Sequence, residues 1–233
     1  MLKEEKLVSI IMSAYNSENT IIDSIESLLN QTYKNIEILI VDDCSVDKTY
    51  EICKNYEKKN KNIRLFKNEE NIGLTKSLNS LINKANGAYI ARQDCDDISL
   101  DSRIEKQLEH IETYKLDACS SRAFIKDTDK LIPNLTYFLP KKFLIRFKNP
   151  FVHGTLLIKK SVLNKIGNYN EKFYFAQDYK LMSELIRGKF KVKIIKEPLY
   201  VLNMDNNISS NFSKEQKYYA DCVRKNLEPV KHI

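Results

Sequence analysis

The feature that most limits how this chain can fold is the alternation of short apolar runs with amphipathic stretches across its first hundred residues. "LVSIIM" (7–12), "IEILIV" (36–41), "IRLFK" (63–67) and "AYIAR" (88–92) are short and mostly β-branched or aromatic, which marks strands. Between them, "ENTIIDSIESLLNQ" (18–31) sets Ile21, Ile22, Ile25, Leu28 and Leu29 on one helical stripe. "GLTKSLNSLINKA" (73–85) repeats that stripe through Leu74, Leu78, Leu81 and Ile82. "VDKTYEICKNYEKK" (46–59), with Asp47 as its cap, and "DSRIEKQLEHIETY" (101–114) read as the remaining helices. Strand–helix repetition of this kind predicts an α/β fold, with a parallel sheet and right-handed crossovers.

The second half is less regular. The pattern predicts a strand or two within 116–132, a loop and helix near 140–148, and a strand at "TLLIKK" (155–160). A short helix near 161–166 and a helix at "QDYKLMSELIRG" (177–188) follow, then strands near 190–195 and 199–203 and a terminal helix from about 213. No repeat or linker interrupts the chain, so residues 1–233 read as one domain: a nucleotide-binding half (1–100) and an acceptor half (101–233).

Ligands of open α/β sheets bind beyond the carboxyl ends of the strands. Each predicted strand of the first half ends in polar residues: "SAYN" (13–16), "DDCSVD" (42–47), "NEENIG" (68–73) and "QDCDD" (93–97). Four such segments in register predict a nucleotide-type site. The chain has neither G-x-G-x-x-G nor G-x-x-x-x-G-K-[ST], so the glycine-rich cradles that bind phosphate on backbone amides are missing. Asp94, Asp96 and Asp97 offer another device, a hard Mn²⁺ or Mg²⁺ ion that turns carboxylate repulsion into coordination.

Net charge is +7, but lysines and glutamates are interspersed, and no basic–aromatic patch of the nucleic-acid-binding type stands out. Five scattered cysteines without a CxxC pair argue against a disulfide framework or zinc site and for a reducing compartment. The apolar run of "MLKEEKLVSIIM" is too short for a signal peptide and no stretch has membrane-span length. The expected location is the cytoplasm, with any membrane contact peripheral, at the inner face.

The segments "VSIIMSAYN", "QTYKNIEILIVDDCSVDKT", "NIGLTKSLN", "YIARQDCDDIS", "NPFVHGTLLIKKSVL" and "YNEKFYFAQDYKLM" resemble, in order and spacing, the family 2 glycosyltransferases of GT-A fold. The resemblance covers nearly all of 6–205 and is nearest to bacterial enzymes that build lipooligosaccharide, capsule or O-antigen chains from UDP-sugars. It implies a Rossmann-like, mostly parallel central sheet flanked by helices. It also implies inverting transfer of a hexose or N-acetylhexosamine to a saccharide or lipid-linked saccharide. Ser13 and Tyr15 would line the base pocket, and Asp43, with Asp42 beside it, would accept the uracil N3 hydrogen. Asp96 would touch ribose or metal and Asp97 the metal, with Asp94 in the first carboxylate position that some members use instead.

The family's acidic pair at the helix after the acceptor loop is Gln177-Asp178 here, with Asp178 as the candidate general base. The glutamine leaves a second reading, a catalytically impaired nucleotide-sugar-binding subunit. His153 is a candidate contact to acceptor or phosphate, Arg92 and Lys76 are candidate phosphate neutralisers, and the aromatic stretch 170–177 a candidate acceptor floor.

Overall fold

The computed structural model describes residues 6–204 and 212–230. Its first half follows the alternation: β1 (Val8–Ala14), α1 (Ile21–Leu29), β2 (Ile36–Asp42), α2 (Thr49–Lys59), β3 (Ile63–Lys67), α3 (Leu74–Lys84) and β4 (Tyr89–Arg92). β1 runs parallel to both β2 and β4, and β2 parallel to β3. Every residue of β1 and β2 is buried, because helices cover both faces of this part of the sheet. On one face Ile11, Leu39 and Val41 meet Leu78, Leu81 and Ile82 of α3. On the other, Ile10, Met12, Ile38 and Ile40 meet Ile21, Ile25 and Leu28 of α1.

Past β4 the sheet is mixed. It adds β5 (Ile98–Ser99), β6 (Ala118–Ile125), β7 (Leu131–Ile132), β8 (Leu157–Lys159) and β9 (Val192–Leu202). β8 lies antiparallel between β4 and β6, and β9 runs parallel to β6. The order is β3-β2-β1-β4-β8-β6-β9-β5, with β7 on β6. The helices here are α4 (Arg103–Thr113), α5 (Lys141–Leu144), α6 (Lys160–Ile166), α7 (Gln177–Arg187) and α8 (Ser213–Lys225).

Three expectations are corrected. The strands expected at 190–195 and 199–203 are one strand, β9. Pro198, which cannot donate to a ladder and reads as a break, is absorbed where the β6–β9 register shifts, opposite Arg122. The helix expected over 140–148 shrinks to α5, with Pro140 at its start and irregular chain from Phe147 to Pro150. The two-residue β5, which no periodicity announces, pairs with β9 just after the acidic turn. All five cysteines are free, and among the described residues no helix is long and apolar enough to cross a membrane.

At the edge of the sheet away from the strand ends, Glu37 of β2 is buried. It accepts hydrogen bonds from Ser9 Oγ (2.6 Å), the Asn86 amide (2.6 Å), Asn86 Nδ2 (3.1 Å) and Arg64 Nη1 (3.2 Å). Burial alone would raise its pKa, but these donors together hold it below the ordinary 4.5. A depressed carboxylate stabilises the fold above its unfolded pKa and loses that contribution as pH falls through its folded value. Glu37→Gln is therefore expected to cost about 1–3 kcal/mol at neutral pH, with the gap from wild type narrowing as pH falls below the ordinary 4.5 and through the lower folded value. Urea unfolding across that range checks it. A gap that stays constant with pH would contradict this account.

Candidate active site

Parallel register brings the four polar segments to one edge. Ala14 pairs with Asp42, the Asp43 amide donates to the Ala14 carbonyl (2.8 Å), and the Asn68 amide to the Asp42 carbonyl (2.9 Å). The Gln93 amide donates to the Ile11 carbonyl (3.1 Å). Asp42 and Asp43 then take different tasks. Asp42, fully buried, accepts the Ser45 amide on Oδ2 (3.3 Å) and closes its own turn.

Asp43 faces the loop before α3. Its Oδ1 accepts from Asn68 Nδ2 (2.7 Å) and the Ile72 amide (3.0 Å), and its Oδ2 from the Gly73 amide (2.9 Å). Two oxygens with three donors leave one acceptor position on Oδ2. Gly73, at φ +83°, allows this loop to turn, and a Cβ there would fall 2.8 Å from Cε2 of the half-exposed Tyr174. The aromatic stretch 170–177 thus lies over the β3–α3 loop, tied down by Thr75 Oγ1 to the Phe173 carbonyl (3.1 Å) and Asn79 Nδ2 to the Tyr169 carbonyl (2.9 Å). Phe173 and Phe175 are core residues, so Tyr174 alone of that triplet offers a half-exposed ring. Tyr15 is likewise half-exposed beyond β1, Ser13 is buried within it, and Lys76 is exposed on α3 one turn from Gly73.

The acidic turn hangs on a buried polar frame. Gln93 Nε2 donates to Ser24 Oγ (3.0 Å) and to the Asp97 carbonyl (2.9 Å). Ser24 Oγ in turn donates to the Asp94 carbonyl (2.9 Å). Gln93 Oε1 accepts from Ser99 Oγ (2.7 Å) and Arg103 Nη1 (2.9 Å). Arg103, wholly buried, also donates to Ser99 Oγ (2.6 Å), the Arg92 carbonyl (2.6 Å) and Gln107 Oε1 (3.1 Å), with its guanidinium 5.0 Å above the Tyr200 ring. The Tyr200 hydroxyl accepts the Asp94 amide (3.1 Å), and only a glycine at 154 leaves room for it, since a Cβ there would sit 2.5 Å from that oxygen. Gln93, Ser99, Arg103 and Tyr200 are absent from the sequence-level site. The available signal was a polar pair at i, i+4, Arg103 and Gln107, on the same buried stripe as Ile104, Leu108 and Ile111.

The three carboxylates differ in surroundings. Asp94 pairs with Nη2 of the buried Arg92, whose Nε and Nη1 have no hydrogen-bond partner. Arg92 is therefore a buried floor beneath the turn. Burial and the nearby Asp94 push Asp96 up to about 6. Burial, Asp94 and Asp96 push Asp97 up to about 8, although the Asn203 amide donates to its Oδ1 (2.7 Å). Asp97 Oδ2 is buried without a partner. Among the described residues no cluster of three or more His, Cys, Asp or Glu could hold a metal by itself. An orphaned, desolvated carboxylate oxygen beside a second carboxylate does fit a hard dication completed by substrate phosphate and water, the usual Mg²⁺ arrangement.

Asp178 sits in the first turn of α7, after Ala176 at φ +52°. Its Oδ2 accepts from Asn149 Nδ2 (2.7 Å), and no protein donor among the described residues occupies Oδ1. Gln177 precedes it, half-buried. His153 shares a 2.7 Å hydrogen bond between Nε2 and the Tyr169 hydroxyl, ring edge against ring face. Burial and the Arg92 charge lower the His153 pKa, with Asp178 and Asp94 opposing, so the ring is neutral at physiological pH. Arg92, Asp94 and Asp178 all act electrostatically on both His153 and Tyr169. Arg92, Asp94, His153 and Asp178 thus lie within electrostatic reach of one another, while Asp43 is bonded to the β3–α3 loop and Lys76 is exposed on α3.

Known proteins carry the same plan. The family described as Glycosyl transferase family 2 matches residues 9–167. An uncharacterized glycosyltransferase of Methanocaldococcus jannaschii, MJ1057, is 36% identical over 242 residues, covering 99% of this chain and 82% of that protein. WfaP of Escherichia coli, a UDP-Glc:alpha-D-GlcNAc-diphosphoundecaprenol beta-1,3-glucosyltransferase, is 32% identical over 190 residues, covering 81% of this chain and 73% of its own. Among solved structures, the mannosyltransferase PcManGT of Pyrobaculum calidifontis, in complex with GDP-Man and Mn2+, superposes with a TM-score of 0.77 at 16% identity. That match covers 95% of this chain, which spans 65% of the neighbour's length. The mixed sheet, with its strand-end pocket and acidic turn, is the GT-A fold, and the chain belongs to glycosyl transferase family 2.

Proposed function

We propose that this glycosyltransferase moves a hexose or N-acetylhexosamine from a UDP-sugar to a saccharide hydroxyl with inversion, in the assembly of a bacterial surface polysaccharide at the cytoplasmic membrane face. The observation that carries the reading is that two kinds of carboxylate come near one histidine: Asp94 of the acidic turn and Asp178 of α7 both act electrostatically on His153. Asp96 and Asp97 are desolvated and short of partners, while Asp178 is half-buried and held by Asn149 with one oxygen open. The relative WfaP, whose name specifies a UDP-Glc donor and a diphosphoundecaprenol-linked acceptor, supports the donor and suggests a lipid-linked acceptor.

In this reading uracil stacks on Tyr15 near Ser13, and its N3–H donates to the open position on Asp43 Oδ2. Asp97, with Asp96, would hold the metal, and Asp94 is committed to Arg92. When bound, Mn²⁺ or Mg²⁺ supplies charge stabilisation to the departing diphosphate. The acceptor oxygen forms its bond to the anomeric carbon as the bond to the UDP oxygen breaks, its electron pair leaving with UDP. Asp178 Oδ1 takes the acceptor's proton. The neutral His153, fixed on Tyr169, contacts the acceptor side, and Tyr174 offers a ring to a sugar face.

Incubation with a panel of UDP-sugars and a saccharide acceptor should release UDP and glycosylated product only with Mn²⁺ or Mg²⁺ present. Asp97→Asn should reduce that rate by about a hundredfold or more. Tight UDP binding without product from any donor would instead favour the nucleotide-sugar-binding subunit that Gln177 suggests. Equal rates in a metal chelator would remove the metal from the reading.

A further inference from the structure

Between β7 and the Asn149 that holds Asp178, the chain carries Lys141, Lys142, Arg146 and Lys148, with Lys130 just before β7, and no acidic residue from 130 to 150. The same stretch exposes Leu135, Phe138, Leu139, Phe143 and Phe147, with Phe138 72% exposed. The exposure is built in. Leu144 and Ile145 turn into the core, which sends Phe143, Phe147, Lys142 and Arg146 outward. Lys141 is spent internally, donating to the carbonyls of Thr136 (3.3 Å), Tyr137 and Leu139 (3.0 Å), so it staples the 135–138 turn onto α5. Phe143 and Phe147 stand together, ring centres 5.1 Å apart. Beside them a groove of about 490 Å³ is lined by Lys142, Ile145, Arg146, Ile186, Arg187 and Arg224. Arg187 and Arg224 brace it by donating to the carbonyls of Val223 (3.0 Å) and Phe147 (3.1 Å), while Lys142 and Arg146 have no acidic partner among the described residues.

We propose that residues 135–148 are a docking surface for an anionic phospholipid bilayer. Phe138, Phe143 and Phe147 enter the headgroup boundary, and Lys142 and Arg146 meet lipid phosphates. Exposed aromatic and aliphatic side chains interleaved with cations, with no acidic residue among them, match a surface that is apolar just below and anionic on top. A second copy meeting this face by two-fold symmetry would set like charges against each other. Docking here also orients the site. The Tyr179 hydroxyl donates to the Ile145 carbonyl (2.8 Å) and Asn149 holds Asp178, so the C-terminal end of the surface is bonded to α7 and its carboxylate. An acceptor carried by a lipid would then arrive on the Asp178 side.

The test is sedimentation of the full chain with vesicles, with no sugar nucleotide present, so its outcome is separate from that of the transfer reaction. Vesicles of phosphatidylcholine with roughly one-third phosphatidylglycerol should bind the protein, more weakly as salt screens the charges, and pure phosphatidylcholine should not. Lys142→Gln with Arg146→Gln should weaken binding by about 30-fold. Phe143→Ser with Phe147→Ser should weaken it by about tenfold or more. Urea unfolding of both variants should match wild type, which separates lost docking from lost fold. Absence of binding to anionic vesicles, or binding unchanged in both variants, overturns the proposal. So does a solution dimer that the Phe143→Ser, Phe147→Ser variant dissolves, since a second copy would then occupy the face.

Discussion

Replacing Asp178 by asparagine is expected to lower turnover by about 10²–10⁴-fold while leaving UDP affinity within about twofold of wild type. Asparagine keeps the shape and can still accept the Asn149 Nδ2 hydrogen bond on its carbonyl oxygen, so the first turn of α7 should stay in place. What it loses is the ability to take a proton at Oδ1. Asp178 shares no hydrogen bond with Asp43 or Asp97, so the donor contacts proposed for those two residues should be untouched. The measurement is UDP release under saturating donor and acceptor, beside calorimetric titration with UDP and Mn²⁺. A variant that turns over near the wild-type rate would remove Asp178 from the role of base. A variant that loses UDP binding in proportion to its activity would make it a structural residue.

The second large effect is expected at Arg103, which touches no substrate. Two opposing terms decide its sign. Burial holds the guanidinium well away from water, pulling its pKa down to about 10, so removing the charge relieves a desolvation cost. Against this, Arg103→Met removes the donor to Gln107 Oε1 and to the Arg92 carbonyl and one of two partners from Gln93 Oε1 and Ser99 Oγ, a buried acceptor left without a donor costing about 1–3 kcal/mol. The lost donors outweigh one relieved charge. The net loss should be about 2–4 kcal/mol in urea unfolding. Gln93 also carries the Asp97 carbonyl, so the acidic turn should loosen and Mn²⁺-dependent UDP affinity fall by about 10–100-fold. Arg103→Lys should restore little, because an ammonium cannot span the same fork of acceptors. If stability drops but UDP–Mn²⁺ affinity does not, Arg103 supports the helix packing and not the turn.

These two positions mark the boundary of what the amino-acid pattern made legible. Asp178 could be found from the sequence because its segment, "FAQDYKLM", opens an amphipathic helix and matches a family motif. Arg103 could not, because a lone arginine in a helix is ordinarily solvated, and only the meeting of α4 with the acidic turn turns it inward. The second half shows the same limit. Pro198 reads as a strand end, yet β9 continues past it because β6 shifts register alongside.

The chain's own pattern determined the strands and helices of the first half, and the gathering of their polar ends. Hydrophobic periodicity is local, and parallel strands joined by right-handed crossovers must end at the same edge. The tertiary structure alone decided what surrounds each carboxylate. It sends Asp94 to Arg92, leaves an oxygen of Asp97 bare, fills Asp43 to one remaining position, and fixes Asp178 on Asn149. Burial and hydrogen bonding set those differences through residues distant in the chain, and no local pattern encodes the dielectric or the donors that a folded neighbour supplies.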